Sequence, residues 1–403
     1  MKFASLLFVL AIIIPPNYSI APGGFVITPI RGLGMIYFLI FVPQLFRSNS
    51  FVEKVTIPDL AVTFHCIWAF IAIYYWHGGA RAVESVGIYS IEFLGLYAFG
   101  RCLALELKNL QYFLRVFLIV VIVSALLAWF ESLTGKNLVY SFLGLPFYRL
   151  AEPRLGLERA SVYMQHPILY GLFISMMMGL VIYTVKGKVL RLAAIFLAAV
   201  IPSLSSAPLL SIVVQLGATL WDQLLKNNSK RWKIALVLAV IVYLAIEIPS
   251  DRSFVAVLIS YLTFNPWTGY YRMMIWEYGI QEVLASPLWG IGFNDWARPS
   301  WMVSSSVDNF WLLTMMRYGV PALILMVIPI FVAARKMIIR DFGTLLYLKT
   351  GWLISLLGVI FVGATVHFWA NIFSMFSLFI GLGVTIASYR DSVLRIYQDR
   401  ENT

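Results

Sequence analysis

Charge is scarce in this chain. Only 12% of its 403 residues are Asp, Glu, Lys or Arg, against 61% that are apolar, and the mean hydropathy is +0.85. A water-soluble globule needs a polar surface, so this balance excludes one and requires lipid to replace water over most of the exterior. Cysteine is scarcer still. Cys66 and Cys102 are the only two, and both fall within apolar runs where a thiol packs as a small apolar group. Neither a disulfide framework nor a thiolate metal site is expected, and the redox compartment stays open. Histidine occurs four times. His65, His77 and His367 have no partners at metal-ligand spacing, and His166, directly before Pro167, reads first as an interfacial hydrogen-bonding residue. The chain is therefore expected to need no metal and no cofactor. Thirty basic residues outnumber nineteen acidic ones, for a net charge of +11, but the cations are scattered along short loops, which excludes a nucleic-acid footprint.

What the sequence has in quantity is apolar runs near the ~20 residues that cross a bilayer, recurring from end to end. They predict an all-α integral membrane protein of about 12 transmembrane helices, a single polytopic domain over 1–403. The predicted spans are 3–20, 32–48, 57–77, 85–106, 111–131, 167–185, 190–204, 207–225, 233–249, 307–332, 350–368 and 371–388. Lys and Arg near helix ends are retained on the cytoplasmic side. Lys2, Lys186, Lys188, Lys226, Lys230, Arg231, Arg335, Lys336, Arg340 and the C-terminal tail share one side, so both termini are expected to be cytoplasmic. Lys2, the apolar stretch after it and Pro15-Pro16 also fit a signal peptide, with Ser19 and Ala21 near a cleavage point; retention as a first span is the preferred reading.

Two outward segments are too long for simple turns. The first, 132–165, holds Lys136, Arg149, Arg154 and Arg159 on the side where the orientation rule disfavours cations. The second, 250–306, lies between the ninth and tenth helices. It carries Arg252, Arg272 and Arg298 with Trp267, Tyr271, Trp276, Trp289, Trp296 and Trp301 among its aromatics. From Tyr271 to about Ala285 it predicts an amphipathic helix lying on the membrane face, ended by Pro287 and the Gly290-Ile291-Gly292 turn. A planar guanidinium donates in a fork that matches phosphate oxygens, and aromatic faces suit sugar rings, so the two loops together suggest a lipid-linked sugar phosphate. Individually, each aromatic is as well explained by the headgroup-level belt of any membrane protein. Within the spans, Glu92, Arg101, Glu247 and Arg317 must face the bundle interior, a partner or water. Arg317 is the deepest in its span and needs a carboxylate or a ligand. Glu92 and Arg101 are about 13.5 Å apart along one helix and on opposite sides, so they cannot pair with each other.

The order of motifs resembles the O-antigen ligase and polymerase superfamily, over roughly residues 150 to 335. Arg159-Ala160-Ser161-Val162-Tyr163-Met164-Gln165-His166-Pro167-Ile168-Leu169-Tyr170-Gly171 is similar to the family's loop-to-helix segment. Ser203-Leu204-Ser205-Ser206 falls where members often carry Ser-Arg and a small residue, though Ala207 follows here and the arginine is missing. Arg272, Trp276 and Pro287-Leu288-Trp289-Gly290-Ile291-Gly292-Phe293 resemble the family's Arg, Trp and Pro-Leu-x-Gly-Ile-Gly-Phe pattern. Asp308-Asn309, nine residues and then Gly319-x-x-Ala322 resembles the ligase motif His-[Asn/Ser/Gln]-x9-Gly-x-x-Gly, with Asp308 where a ligase has its catalytic histidine and Ala322 in place of the last glycine.

The resemblance implies a GT-C-like membrane glycosyltransferase of the bacterial inner membrane. Its substrate would be an undecaprenyl-pyrophosphate-linked oligosaccharide, and a chain-length regulator, a flippase of the same pathway and membrane lipids would be its partners. The implied activity is polymerisation of repeat units at the periplasmic face, for an exopolysaccharide, capsule or O-antigen. In that reading Arg159 and Arg272 hold the pyrophosphate, with Arg154 and Arg317 as weaker candidates, and Asp308 is the base, unless it only caps its helix. Glu158 is the fallback base, Asn309 hydrogen-bonds sugar or phosphate, and His166 orients the acceptor. Three other readings stay open. An O-antigen ligase would transfer the glycan to lipid A core, a lipid-linked oligosaccharide flippase would more naturally show internal repeats, and a non-catalytic assembly component would tolerate loss of Arg272 and Asp308.

Overall fold

A backbone in lipid has no water to satisfy its N–H and C=O groups, so apolar runs of this kind close their hydrogen bonds within helices. The computed structural model describes residues 1–21, 26–46, 55–148, 151–248, 256–257 and 266–389. Among them it is all helix and connection, with no strand beyond two isolated bridges, Ile20 to Ile27 and Arg154 to Leu157. Arg149, Arg252 and the tail after 389 lie outside the described residues.

In chain order the helices are α1 Lys2–Ile13, α2 Pro29–Leu45, α3 Ile57–Ala82, α4 Ile88–Leu103, α5 Leu107–Thr134, α6 Leu138–Phe142, α7 Pro167–Ser175, α8 Met178–Thr184, α9 Val189–Val200, α10 Ser206–Leu224, α11 Arg231–Glu247, α12 Pro266–Ala285, α13 Phe310–Tyr318, α14 Val320–Ile339, α15 Leu346–Gly363 and α16 Asn371–Ala387. Each predicted apolar segment contains helix. Among the described residues five stretches are long and apolar enough to cross a membrane, namely Ile57–Leu103, Leu107–Thr134, Pro167–Thr184, Val320–Ile339 and Gly343–Gly363, and shorter apolar helices accompany them. The chain is a multi-pass, all-α membrane protein. The 47-residue run Ile57–Leu103 would extend about 70 Å as one straight helix, more than twice the hydrocarbon thickness. Gly78, at φ 77 and ψ 175, divides it.

Several predicted spans differ from the helices that form. The span 3–20 stops at Ile13, because Pro15-Pro16 cannot continue a helix. At 1.5 Å per residue the result is about 18 Å long, short of a crossing. The span 167–185 is offset between Ser175 and Met178, and the freed backbone groups are met by the buried amide of Gln215, whose Nε2 donates to the Ser175 carbonyl at 2.9 Å while its Oε1 accepts from Gly179 N–H at 3.1 Å. The span 307–332 begins at Phe310 and breaks at Gly319.

Every residue of α16 is buried. It packs against α4 and α14, α2 packs on α4, α3 on α14, and α15 lies against α8 and α10. Small residues permit these approaches, as is usual where apolar helices meet in lipid. A Cβ at Gly100 would strike the backbone of Leu378, and one at Gly95 that of Gly34. Buried charges on the same helices are neutralised locally. Arg101 pairs with Asp59 at 3.0 Å, supported by Tyr97 Oη donating to Asp59 at 2.7 Å, and Glu92 pairs with Arg31 at 3.3 Å while accepting from Ser374.

Candidate functional site

Two segments far apart in sequence meet at one end of the bundle. The loop 151–166 is pinned at its base by Glu131, at the end of α5. Both carboxylate oxygens are used: Oε1 accepts from Ser161 N–H at 3.1 Å and Ser161 Oγ at 3.2 Å, and Oε2 from Val162 N–H at 2.9 Å and Asn137 Nδ2 at 3.0 Å. These bonds hold Val162 at φ 54, a conformation that side chains other than glycine rarely adopt. They also fix the direction in which Arg159 leaves the loop. Its guanidinium lies against the turn after α9, Nη2 donating to Ser205 Oγ at 2.7 Å and Nε to the Ser203 carbonyl at 3.3 Å. Arg154 Nη1 donates to the Leu204 carbonyl at 2.8 Å. The Ser203-Leu204-Ser205-Ser206 stretch thus supplies carbonyls and a hydroxyl to arginines from another loop.

The second segment is α12. It begins at Pro266, five residues before the predicted amphipathic helix, and its buried stripe of Ile275, Gly279 and Val283 packs onto α13. Arg272 projects from it into a cavity of about 260 Å³ shared with Arg154, Arg159, His166, Tyr271 and Asp308. Arg272 Nε is buried and has no hydrogen-bond partner among the described residues. Burial, and then the neighbouring charges of Arg154 and Arg272, pull the Arg159 guanidinium down to about 10 from its ordinary value. Arg154 is lowered by burial and by Arg272, and Arg272 by burial, with Asp308 opposing. The three cations remain charged at neutral pH, and their mutual repulsion is a cost that a bound anion would reverse.

His166 caps α7. Its Nδ1 accepts from Ile168 N–H at 3.1 Å, which leaves the proton on Nε2 and makes that nitrogen a donor. Burial and the three arginines push its pKa down to about 4, so it is neutral at pH 7. Asp308 lines the cavity and accepts from Ser306 Oγ at 3.1 Å. The residue that caps α13 is Asn309, its Oδ1 accepting from Leu312 N–H at 2.9 Å while Nδ2 donates to the Ala364 carbonyl at 2.8 Å. Asn309 was expected to bind sugar or phosphate, but its buried amide is committed on both sides. Asp308, read as the base unless it only caps its helix, does not cap α13 and lines the cavity.

Two further candidates lie elsewhere. Glu158 follows the loop but does not line the cavity, and its backbone is tied to Ser132 at 3.1 and 2.7 Å. Arg317 lies in a second cavity of about 330 Å³, with Arg31, Glu92 and His367, its guanidinium 5.6 Å from the Phe293 ring. Glu92, which lines the same cavity, is engaged by Arg31 at 3.3 Å. Sequence reasoning passed over Glu131, and named Ser203 and Ser205 within a motif without giving them a role. Glu131 sits at a span end where a carboxylate is unremarkable, and only its contacts with residues about thirty positions away distinguish it.

The glycine motifs prove to be one joint. Ile291 N–H donates to the Met316 carbonyl at 2.6 Å and Val320 N–H to the Pro287 carbonyl at 2.8 Å, while Trp76 Nε1 reaches the Gly290 carbonyl at 2.9 Å. Gly290 and Gly319 take φ of 63 and 83, and a Cβ on either would collide with the other segment's backbone. This joint sets the position of α12 against α13, and so of Arg272 against Asp308.

A multi-pass helical bundle that gathers three arginines and a carboxylate at one end, over a turn that holds two of them, is a membrane protein with a cation-rich cavity. Residues 191–327 match the family described as O-antigen ligase, a match that supports the resemblance to the O-antigen ligase and polymerase superfamily. The matched stretch contains Arg272, Asp308, Arg317 and the glycine joint. It begins after the loop that carries Arg154, Arg159 and His166. No curated protein matches the chain.

Proposed function

We propose that this protein is a repeat-unit polymerase that joins undecaprenyl-pyrophosphate-linked oligosaccharides at the periplasmic face of the bacterial inner membrane. The observation that carries the reading is the convergence of Arg154, Arg159 and Arg272 with Asp308 on one cavity. In the reaction, an acceptor hydroxyl oxygen attacks the anomeric carbon of the donor sugar, and the bond from that carbon to the pyrophosphate oxygen breaks. Its electron pair stays on the pyrophosphate, where the guanidiniums stabilise the charge as it develops. The hydroxyl proton passes to Asp308. His166 donates from Nε2 to the acceptor or to a phosphate oxygen; as a neutral donor whose other nitrogen is occupied, it is not the base. Attack opposite the leaving group inverts the anomeric centre. Arg154 and Arg159 donate to the Ser203–Ser205 turn, whereas Arg272 Nε is buried without a partner among the described residues, so Arg272 is assigned first to the pyrophosphate.

A ligase reading is favoured by the description of the matched family. Against it stands Asp308 in place of the ligase histidine. What carries the product separates the two: lipid-linked repeat units lengthened by further units for a polymerase, a lipid A core acceptor for a ligase. The test is polymer formation from lipid-linked repeat units by the purified protein in detergent. Chains should lengthen with the wild type and fail with Arg272→Ala and Asp308→Ala, each variant losing about 10²–10³ in rate. Lengthening that survives both substitutions would overturn the assignment, and no lengthening by well-folded wild type would favour a ligase or a flippase.

A further inference from the structure

The arginine cavity is the first of three in a row. It shares His166 with a second cavity of about 310 Å³, and that one shares Trp369 with the cavity that holds Arg317. The chemistry changes along the row. The second cavity is lined by aromatic rings, Tyr140, Phe147 and Tyr148, together with the amides of Asn17 and Gln165. Tyr148 is 74% exposed. The third carries fixed charge of both signs, Arg31 and Arg317 against Glu84 and Glu92. The carboxylates there are already engaged, Glu92 by Arg31 at 3.3 Å and Glu84 by Arg81 at 3.0 Å, so they offer nothing to a second pyrophosphate, and a polar lining of both signs is ill matched to an acyl chain. Aromatic faces followed by balanced donors and acceptors suit a hydroxyl-rich chain, whose C–H faces pack on rings and whose hydroxyls form charge-assisted hydrogen bonds.

Two independent features mark the junction between these cavities. His367 Nδ1 is buried and has no hydrogen-bond partner among the described residues, and its ring stacks on Trp369 at 5.8 Å and 25°. Ala370, next to Trp369, sits at φ 49 and ψ −131, a conformation unfavourable for any residue with a side chain and one that persists only where its surroundings impose it. Trp369 lies in this short connection between α15 and α16, against both cavities and 6.5 Å from the His166 ring.

We infer that this row is the glycan track of the protein, with Trp369 and Tyr148 as sugar platforms leading the oligosaccharide to or from the arginine cavity. The inference rests on the polymerase reading for which end of the chain reacts, but its binding test does not. The probes are the free oligosaccharide released by mild acid from the lipid-linked intermediates of the producing cells, and undecaprenyl pyrophosphate bearing no sugar. Binding of each to the full-length protein in detergent is followed by saturation-transfer NMR. Trp369→Ala and Tyr148→Ala should weaken the oligosaccharide ~10-fold or more and leave the bare lipid pyrophosphate within about twofold. Trp369→Phe, which keeps a ring, should restore part of the loss, and Arg272→Ala should do the reverse of Trp369→Ala. Oligosaccharide affinity unchanged in both alanine variants would overturn the track, as would an equal loss of both probes. Oligosaccharide binding that depends on Trp369, with no binding of lipid pyrophosphate, would keep the track and remove the pyrophosphate reading; the opposite pattern would do the converse. If the enzyme lengthens the free oligosaccharide, the track holds the acceptor. If the oligosaccharide only competes, the track holds the donor's glycan.

Discussion

Arginine is used in two ways in this molecule, and the difference separates structure from site. Arg101, deep in the bundle, is matched by Asp59 at 3.0 Å, and that carboxylate also accepts from Tyr97 and from the N–H and hydroxyl of Thr56. Every charge there has its counter-charge within the fold. At the bundle end Arg154, Arg159 and Arg272 face the same space, Arg272 lowers the proton affinity of the other two, and Asp308 is the one carboxylate among the described residues lining their cavity. The first arrangement completes a core. In the second, backbone carbonyls and a serine hydroxyl orient Arg154 and Arg159 beside Arg272. Cations held by dipoles are available to an anionic ligand, and cations held by carboxylates are not.

The sharpest way to break this contrast is to remove one partner of each kind. Asp59→Ala leaves Arg101 buried without its counter-charge and should cost about 3–5 kcal/mol, read as a collapse of the thermal unfolding midpoint or of the folded yield in detergent. Arg272→Ala should do the opposite. Polymer formation falls by about 10²–10³, while the midpoint holds or rises because a repulsive neighbour has gone. If Arg272→Ala destabilises as much as Asp59→Ala, the two arginines are alike and the contrast is lost.

A smaller effect is expected at Glu131, which belongs to neither class, because it is a buried carboxylate that holds backbone instead of a cation. Glu131→Gln puts an amide N–H₂ against donors of Ser161 and Val162. It should cost about 1–3 kcal/mol together with a partial loss of activity, since Arg159 keeps its charge but loses its fixed loop. Melting and polymer yield measured on the same preparation would show both falling together; activity alone falling would mean Glu131 contacts substrate.

The smallest effect is a titration. Burial and the arginines depress His166 to about 4 from 6.5. The unfolded chain therefore binds its proton more readily than the folded one between those values. The contribution to stability is complete above about pH 6.5 and is lost as pH falls toward 4. Arg272→Ala removes one of the charges responsible and should move the His166 imidazole upward, a shift visible in its ¹⁵N resonances across a pH series. An unmoved resonance would show that burial alone sets the value.

Much of this was legible in the sequence. Apolar runs of the length of a bilayer leave a chain in lipid little choice but helix, because backbone hydrogen bonds must close locally, and proline marks where α1 stops. Cations in two loops expected to face outward, Lys136, Arg149, Arg154 and Arg159 in one and Arg252, Arg272 and Arg298 in the other, marked a group without saying which of them meet, and the glycine motifs marked a joint without saying what it joined. Only the tertiary structure decided which charges meet. It assigned Asp59 to Arg101 and Arg31 to Glu92, moved Arg317 from the arginine cluster to a second cavity, and made Asn309 the cap so that Asp308 is the residue turned to the cavity. It also recruited Glu131 and the Ser203–Ser205 turn as supports. Helix formation is decided by neighbours within four residues, whereas an ion pair or a cavity depends on where helices that may be forty or three hundred residues apart come to pack.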